Sequence, residues 1–543
     1  MKRILLSLFA VVLFASPGLA KSYEPSTGRS AQLQSGTVAS GKSPIEPQRN
    51  VTKDQSQGMV TESGDTATES SPTAPQEARR LFTDVSYADF YYIPTWYLAA
   101  YGILSGYSDH TFRPSNKASR GQIVKIVTNA FHIAPYTPPD GFQTFADVAP
   151  DSAFFAPIEA AAHAELISGY ECGGTGEPCD LFQRKYFRPG REVSRGQLTK
   201  IISKAAGWLS TPPVASTFVD VPTGSVFFEF VEAAYAQGII DGYACGGNGE
   251  PCDATRRSYF RPGQDATRGQ LAKIVYNAIP AENRAVTHLN SYREEAHVPP
   301  LMLHSAIVTA AQKHSDYWLF NHLDPAAMVY GPHGEVPGKP GYTGRYPWDR
   351  IAAEGFPYGG GGEIMHFFGD PVRSVDGWIA TIYHRVIAID PAYEYAGYGG
   401  DTQTQSTGTY SVDVMDFGWG LDTAESPYPM SYPGHMQVDV PTAWNGLEIP
   451  DPLPPGAQRP VGFPFTLQGV GGTLNVSSAE MRDAQGKLVE VHPNPADCQD
   501  FNCYALIPVK SLQNGTRYIV SARGSVAGEE FDATWQFTTV GAP

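Results

Sequence analysis

Apolar and polar residues follow a pattern over residues 81–280 that occurs three times. Each copy closes with a segment whose apolar side chains recur every three or four residues, as at Ile123, Ile126 and Val127, which predicts an amphipathic helix. A Ser or Thr precedes each segment and a Gln follows it three residues later. This capping-box signature predicts where each helix begins. The closing strings are SRGQIVKIV (119–127), SRGQLTKII (194–202) and TRGQLAKIV (267–275).

Each copy contains further motifs in the same order. It opens with Phe, a variable residue, Asp and Val, and continues with an alanine-rich helical stretch and a Gly-Tyr turn. It then reaches Phe-Arg-Pro before the closing helix. Agreement of several motifs in one order indicates internal repeats. We assign the repeats to residues 80–136, 141–209 and 214–280.

A different pattern begins after the repeats. Residues 288–301 predict a helix that ends at a Pro-Pro turn, and residues 303–321 predict a longer helix with Ile307, Ala310 and His314 on one face. We interpret this histidine, on the apolar face of a helix, as a hydrogen-bonded core residue. Loops rich in Gly and Pro follow, and they contain further histidines.

The C-terminal part of the chain predicts strands. Residues 421–458 are rich in proline and are interpreted as a packed connector. Over residues 459–543, short segments of alternating polarity are separated by turn residues such as Asn514 and Gly515, which is typical of an all-β sandwich. The string NGTRY and the terminal WQFTT resemble bacterial immunoglobulin-like domains. The resemblance implies a role in spacing or docking.

The N-terminal residues predict export. Lys2 and Arg3 precede an apolar run at residues 4–15, and small residues follow, so residues 1–20 are predicted to be a signal peptide. Residues 21–79 are rich in Ser, Thr, Gly and Pro and are predicted to be a disordered linker. No later run of about 18 apolar residues occurs, so no transmembrane segment is expected after cleavage. The net charge of −16 argues against nucleic acid as a partner.

The cysteines occur as three close pairs, which on an exported chain predict three disulfides. The first two pairs lie in near-identical strings, CGGTGEPC and CGGNGEPC, inserted before the Phe-Arg-Pro motif of the second and third repeats. A metal site is the alternative, but a second nearby pair of cysteines is lacking within each repeat. The predicted disulfides are Cys172–Cys179, Cys245–Cys252 and Cys498–Cys503.

An arginine occupies the first position of each closing helix, where the helix dipole disfavours a cation. One explanation is an anionic ligand, because a helix start presents free backbone N–H groups that suit an anion. The other is an ion pair with the Asp of an opening motif, and both explanations stay open. The residues concerned are Arg120, Arg195 and Arg268, with Asp84, Asp147 and Asp220 as the acidic partners.

The motifs of residues 81–280 resemble S-layer homology (SLH) repeats. The resemblance implies a mostly helical, pseudo-threefold trimer of repeats whose grooves bind acidic, often pyruvylated, cell-wall polysaccharide. Arg120, Arg195 and Arg268 stand where the family has its ligand-binding arginine. This chain has Gly-Gln where the family has Ala-Glu after that arginine, which preserves the capping role. Acidic wall polysaccharide or peptidoglycan is therefore the expected partner.

Residues 285–420 resemble the CAP superfamily, also called SCP/TAPS, and we assign residues 281–420 to this domain. The resemblance rests on LNxYR with PPL, the AAxxH helix, PGYTG with DR, a Gly-Glu before a helix, and Trp followed by His-Arg. It implies an α-β-α sandwich whose cleft carries two histidines and two acidic residues. The residues that map to this cleft are His333, Glu363 and His384, with Glu335, or His366 one helical turn beyond Glu363, replacing an absent second glutamate.

Two imidazoles and a carboxylate suit a divalent metal such as zinc, and the same set suits acid–base chemistry. No serine or cysteine nucleophile lies in a recognisable setting, so a conventional triad hydrolase is not expected.

Together the modules predict a secreted cell-envelope protein that binds wall polysaccharide through its repeats and displays a CAP domain for an unknown ligand or a metal. Two alternatives stay open. A metal-dependent hydrolase would act on peptides or wall material through the CAP cleft. A structural component of the surface layer would need no catalytic activity.

Overall fold

The computed structural model describes residues 81–139, 142–208, 213–420, 426 and 428–541. The predicted signal peptide and linker lie outside these residues. None of the helices in the described ranges has the length and apolar character that crossing a membrane requires.

The repeat unit, residues 81–280, is built from pairs of helices. Its described part has, in each repeat, a nine-residue helix followed by an eleven-residue helix. At each longer helix the Ser or Thr side chain accepts the Gln N–H, and the Gln side chain accepts the Ser or Thr N–H. The three predicted capping boxes are therefore confirmed. The helices are α1 (Tyr92–Ala100), α2 (Arg120–Ala130), α3 (Phe155–His163), α4 (Arg195–Ala205), α5 (Phe228–Ala236) and α6 (Arg268–Ala278).

The three repeats close into a ring through the residue before each capping Ser or Thr. The backbone N–H of Ala118 donates to the carbonyl of Ala266 (2.9 Å), Val193 donates to Ala118 (3.1 Å), and Ala266 donates to Val193 (2.8 Å). All three residues are fully buried. Each repeat thus supplies one donor and one acceptor to a shared centre, so no repeat completes its core alone.

The central unit, residues 281–420, is a four-stranded sheet with helices on both faces. Its elements are α7 (Ala281–Glu295), β1 (Met302–Leu303), α8 (Ser305–Asn321), α9 (Pro347–Ala353), β2 (Gly360–His366), α10 (Pro371–Ala380), α11 (Tyr383–Ala388), β3 (Tyr393–Gln405) and β4 (Gly408–Trp419). The strand order is β1-β3-β4-β2, and only the β1–β3 pair is parallel among these described strands. Helix α8 lies so close to β3 that a Cβ at Gly397 or Gly399 would collide with the helix backbone.

The C-terminal β unit, residues 428–541, is rich in strands, as predicted. Its strands are β5 (Met430–Tyr432), β6 (Ala443–Trp444), β7 (Val461–Gly462), β8 (Phe465–Gln468), β9 (Leu474–Asp483), β10 (Val491–His492), β11 (Cys503–Pro508), β12 (Arg517–Val526) and β13 (Glu529–Thr538). Two sheets have the orders β10-β11-β8-β5 and β13-β12-β9, and β6 pairs with β7. Strands β5 and β6 lie in the predicted connector and pair with later strands, so the described part of the connector from residue 428 belongs to this unit.

One hydrophobic core runs through the central unit and the β unit. It contains Trp378 and Val386 from the helices and Phe465 and Leu506 from the strands. The fully buried Arg385 crosses this joint and donates from Nη1 to the Pro464 carbonyl (2.8 Å). The two units therefore share a core that neither can close alone.

The repeat unit contacts the central unit as well. Val372, at the start of α10, is buried in the hydrophobic core of the repeats. The Tyr276 hydroxyl donates to Asp370 (2.9 Å), and the Tyr101 hydroxyl lies 3.1 Å from Nδ1 of His288. The central unit is thus held between the repeats and the β unit.

Two of the three predicted disulfides are present, Cys172–Cys179 and Cys245–Cys252. The third prediction differs from the structure, because Cys498 and Cys503 are free and buried. Burial and the adjacent Cys498 raise the pKa of the Cys503 thiol well above its ordinary value. A protonated, buried thiol is a poor nucleophile and packs as a small apolar group.

Candidate functional sites

Each arginine at the start of a closing helix reaches into the next repeat. Arg120 donates from Nε to the Phe187 carbonyl (2.8 Å) and from Nη2 to the Ser168 carbonyl (3.4 Å). Its guanidinium carbon lies 4.4 Å from the ring centre of Phe187 and 5.1 Å from that of Tyr170. The side chain is only 6% exposed. Arg120 therefore joins the first repeat to the second.

The other two arginines repeat these contacts in a cycle. Arg195 of the second repeat donates to the Phe260 carbonyl of the third (3.0 Å). Arg268 of the third repeat donates to the Phe112 carbonyl of the first (2.8 Å). Because a buried cation without partners is costly, these carbonyls explain why the arginines tolerate the helix dipole.

Neither sequence-based explanation for these arginines describes their direct contacts. The helix start is not open to an anion, because the N–H groups of Arg120 and Gly121 donate to carbonyls of the second repeat (2.8 and 2.9 Å). The Asp residues also differ from the expected ion pairs. Asp147 accepts the backbone N–H groups of Phe187 (2.7 Å) and Arg188 (2.6 Å), and Asp84 and Asp220 do the same in their repeats.

In each repeat a second arginine, from Phe-Arg-Pro, lies over the tyrosine of the Gly-Tyr turn, and we call this tyrosine together with the arginines around it the groove of that repeat. Arg188 lies 3.9 Å above the Tyr170 ring and makes two 2.7 Å bonds to Glu177. Glu177 comes from the loop that the Cys172–Cys179 disulfide closes. The equivalent sets are Tyr243, Arg261 and Glu250 in the third repeat and Tyr107, Arg113 and Asp109 in the first. Each groove thus combines an aromatic face with at least two guanidinium groups.

The central unit holds a buried cluster of acids and bases between α8 and β2. His333 Nδ1 lies 2.8 Å from Glu363, and Arg350 forms an ion pair with the other Glu363 oxygen. His314 is fully buried, as predicted, and lies 3.0 Å from Glu335 and 3.7 Å from Glu363. Only His333 reaches the surface, with 18% of its side chain exposed.

Two buried carboxyl groups at this cluster, those of Glu363 and Asp416, have pKa values shifted in opposite directions. Burial alone would raise the pKa of Glu363, but Arg350, His314 and His333 hold it well below its usual range. Burial and the Glu363 carboxylate raise the pKa of Asp416 well above its usual range. Asp416 faces Glu363 in the β2–β4 ladder, and its oxygens receive no donor from the described residues. The buried, negatively charged Glu363 beside it thus favours the neutral form of Asp416.

His384, the other predicted cleft histidine, forms its side-chain hydrogen bonds with residues outside this cluster, Thr381 and Glu448. His384 Nδ1 lies 2.8 Å from Glu448, which also accepts the N–H groups of Ile382 and Tyr383. His366 lies on the His384 side, and a Cβ at Gly377 would approach its ring to 2.9 Å. Burial, and then His384 and Arg373, lower the pKa of His366 to about 3.

Glu363 and His366 lie on opposite sides because of the secondary structure of the segment that contains them. Residues 360–366 form strand β2 rather than the expected helix. Residues three apart point to opposite faces of a strand, whereas in a helix they share a face. Glu363 therefore faces α8, and His366 faces α10.

These residues do not fit the expected metal. The described residues contain no group of three or more His, Cys, Asp or Glu arranged to hold a metal ion. The Glu363 carboxylate that would bind it is already paired with Arg350 and His333. The buried guanidinium supplies the positive charge that a metal would bring to such a site.

We therefore expect no stoichiometric zinc at this cluster. After equilibration of the full chain with zinc and gel filtration, metal analysis should find far less than one zinc per chain, and His333→Ala should not change the amount. The exposed His132→Ala is the control for adventitious binding. One tightly bound zinc that is lost only in His333→Ala would contradict the arrangement described above.

Sequence reasoning missed three residues of these sites. Arg350 was noted only as part of the Asp-Arg motif of the CAP resemblance, Asp416 was not considered, and Glu448 lies in the predicted connector. The sequence carries a partial signal for Asp416, because Asp413 and Asp416 both interrupt the otherwise apolar run Val412–Phe417 of β4. No local signal marks Glu448, which is 64 residues from His384.

Comparison with known protein families confirms both main resemblances. Residues 286–414 match the cysteine-rich secretory protein family, CAP, and residues 97–124, 144–199 and 217–272 match the S-layer homology domain. No curated protein matches the chain significantly. Among solved structures, an outer surface protein from Borrelia burgdorferi is similar at 13% identity and a TM-score of 0.19, over 25% of this chain and 90% of that one. The chain thus carries three SLH repeats and a CAP domain.

Proposed function

We propose that the repeat unit attaches this protein to an acidic polymer of the cell wall and that the attached chain presents its central unit at the cell surface. SLH repeats are cell-surface attachment modules, which supports the location. The observation that carries the proposal is the groove found in each repeat, where a tyrosine ring stacks against guanidinium groups. A cation beside an aromatic face suits a sugar polymer that bears carboxylate or phosphate groups.

The role proposed for the central unit is binding of a ligand. His333 and His384 both reach the surface, at 18% and 22% side-chain exposure, and each is oriented by a buried glutamate. A histidine held in this way also suits acid–base chemistry, which keeps a hydrolytic role as the second candidate. Because no zinc is expected at the cluster, this hydrolytic role would not depend on a metal.

The attachment is tested by sedimentation of the full chain with purified cell walls. The combined variant Arg113→Gln, Arg188→Gln and Arg261→Gln removes the arginine of Phe-Arg-Pro from each of the three grooves. We expect retention on the walls to fall at least tenfold, and salt to release the unaltered chain because the charges lie near the surface.

A matched control changes three arginines that also form exposed ion pairs, but in the β unit. These are Arg459, Arg482 and Arg523, each replaced by Gln. The first-position arginines are unsuitable for this test, because their loss would separate the repeats. Equal retention of the groove variant and the control would contradict the proposal.

A further inference from the structure

The grooves of the three repeats differ in charge, and we propose that the groove of the second repeat is the principal binding site for the anionic polymer. We define this second groove by Tyr170, Arg120, Arg188 and Arg191. The inference rests on the proposed wall attachment and adds a residue, Arg191, that determines which groove binds most tightly.

Three guanidinium groups surround the tyrosine of the second groove. Their carbons lie 5.1, 3.9 and 5.7 Å from the Tyr170 ring centre, for Arg120, Arg188 and Arg191. In the described residues, Tyr243 has two such neighbours and Tyr107 has two. The sequence explains the difference. The position of Arg191, three residues after the arginine of Phe-Arg-Pro, is Gln264 in the third repeat and Asn116 in the first.

Of the three guanidinium groups, that of Arg191 is the most available to attract a ligand. Arg120 is buried and donates to backbone carbonyls, and Arg188 is neutralised by Glu177 through two bonds. Arg191 is exposed and forms no ion pair with any residue in the described ranges. Its neighbour Glu192 is bound to Lys117 (2.8 Å).

The backbone of Arg191 is held by two hydrogen bonds. Its N–H donates to the Arg188 carbonyl (3.1 Å), and its own carbonyl accepts the Arg120 N–H (2.8 Å). Burial lowers the pKa of Arg120, and the charges of Arg191 and Arg188 lower it further, whereas Tyr170 and Asp147 raise it. Around Tyr170 the three guanidinium groups face the two carboxylates of Glu177 and Asp147, which leaves surplus positive charge there. An incoming anion relieves this repulsion, whereas in the other grooves the accessible arginine is already paired.

The shared chemistry of the ligand is a polymer with regularly spaced anionic groups. Its charge could come from carboxylates or from phosphodiesters, so the test uses polygalacturonate and poly(glycerol phosphate), with neutral dextran as the third probe. Binding of the full chain is measured by surface plasmon resonance. Arg191→Gln makes the second groove resemble the third, and Gln264→Arg makes the reverse change. Arg256→Gln, at an exposed arginine of the third repeat, is the matched control.

We expect Arg191→Gln to weaken binding of one anionic probe about fivefold, the upper range for one surface charge pair. Gln264→Arg should strengthen it, and Arg256→Gln should leave it unchanged. The preferred probe identifies the anion. Binding that is insensitive to Arg191, or equal binding to dextran, would overturn this inference alone. Failure of the unaltered chain to bind any anionic probe or cell walls would overturn the proposed function.

Discussion

Truncation of the chain after residue 420 is expected to unfold the central unit, although the match to the CAP family ends at residue 414. The truncation removes three of the five acceptors that the described residues offer to Arg385, at Pro464, Tyr432 and Thr466, and leaves only the carbonyls of Ile379 and Ala380. A buried charge that loses its partners costs about 3–5 kcal/mol. That is a large part of the roughly 5–15 kcal/mol that stabilises a typical domain.

The same truncation removes two further supports of the central unit. Glu448 no longer accepts the N–H groups at the start of α11, from Ile382 and Tyr383. The apolar face that packs against Phe465 and Leu506 becomes exposed to water. Since apolar burial is the main favourable term in folding, this loss adds to the loss of polar contacts.

Hydrogen exchange read by mass spectrometry compares residues 81–420 with residues 81–541. Peptides from α10 and α11 should lose protection in the shorter chain, whereas peptides from α2, α4 and α6 should keep it. The repeat unit is thus an internal control for correct folding. Equal protection of α10 and α11 in both chains would show that the shared core is unnecessary.

The parts of the fold that depend on neighbouring residues could be predicted from the sequence. A capping box is complete within four residues, so Ser119 and Gln122 were enough to place the start of α2. The repeats could be recognised because the same short motifs occur three times. The strands of the β unit follow from alternation of polarity over a few residues.

The candidate sites required contacts that the sequence does not show. Local physics marked Arg120 as unexpected at a helix start, but its acceptor Phe187 lies 67 residues away in another repeat. His366 was considered as a replacement for the second glutamate because it would lie one turn beyond Glu363 in a helix, whereas strand β2 directs the two side chains to opposite faces. The partner of His384 comes from a segment that sequence reasoning assigned to a connector.

Replacement of Arg350 by Met is expected to destabilise the central unit by about 3–5 kcal/mol, because it leaves buried Glu363 and Glu335 without their cation. Methionine has a long unbranched side chain, so the lost charge rather than a cavity dominates the effect. The measurement is urea denaturation of residues 81–541, followed by far-UV circular dichroism. A change of less than 1 kcal/mol would show that Arg350 does not balance the cluster.

The variant Asp416→Asn is expected to stabilise the central unit, by an amount that depends on pH. Because the pKa of Asp416 is raised on folding, its contribution to the free energy of unfolding depends on pH. This stabilising contribution is complete below the unfolded-state pKa of about 3.9 and is lost as the pH rises towards the folded-state pKa. Asparagine stays neutral at every pH and avoids the cost of ionising a buried carboxyl group beside Glu363, so the advantage of the variant should grow between pH 5 and pH 8. Glu363 behaves in the reverse sense, because its pKa is lowered and its contribution is lost as pH falls below about 4. A constant difference between Asp416→Asn and the unaltered chain across this range would mean that Asp416 is already ionised in the folded protein.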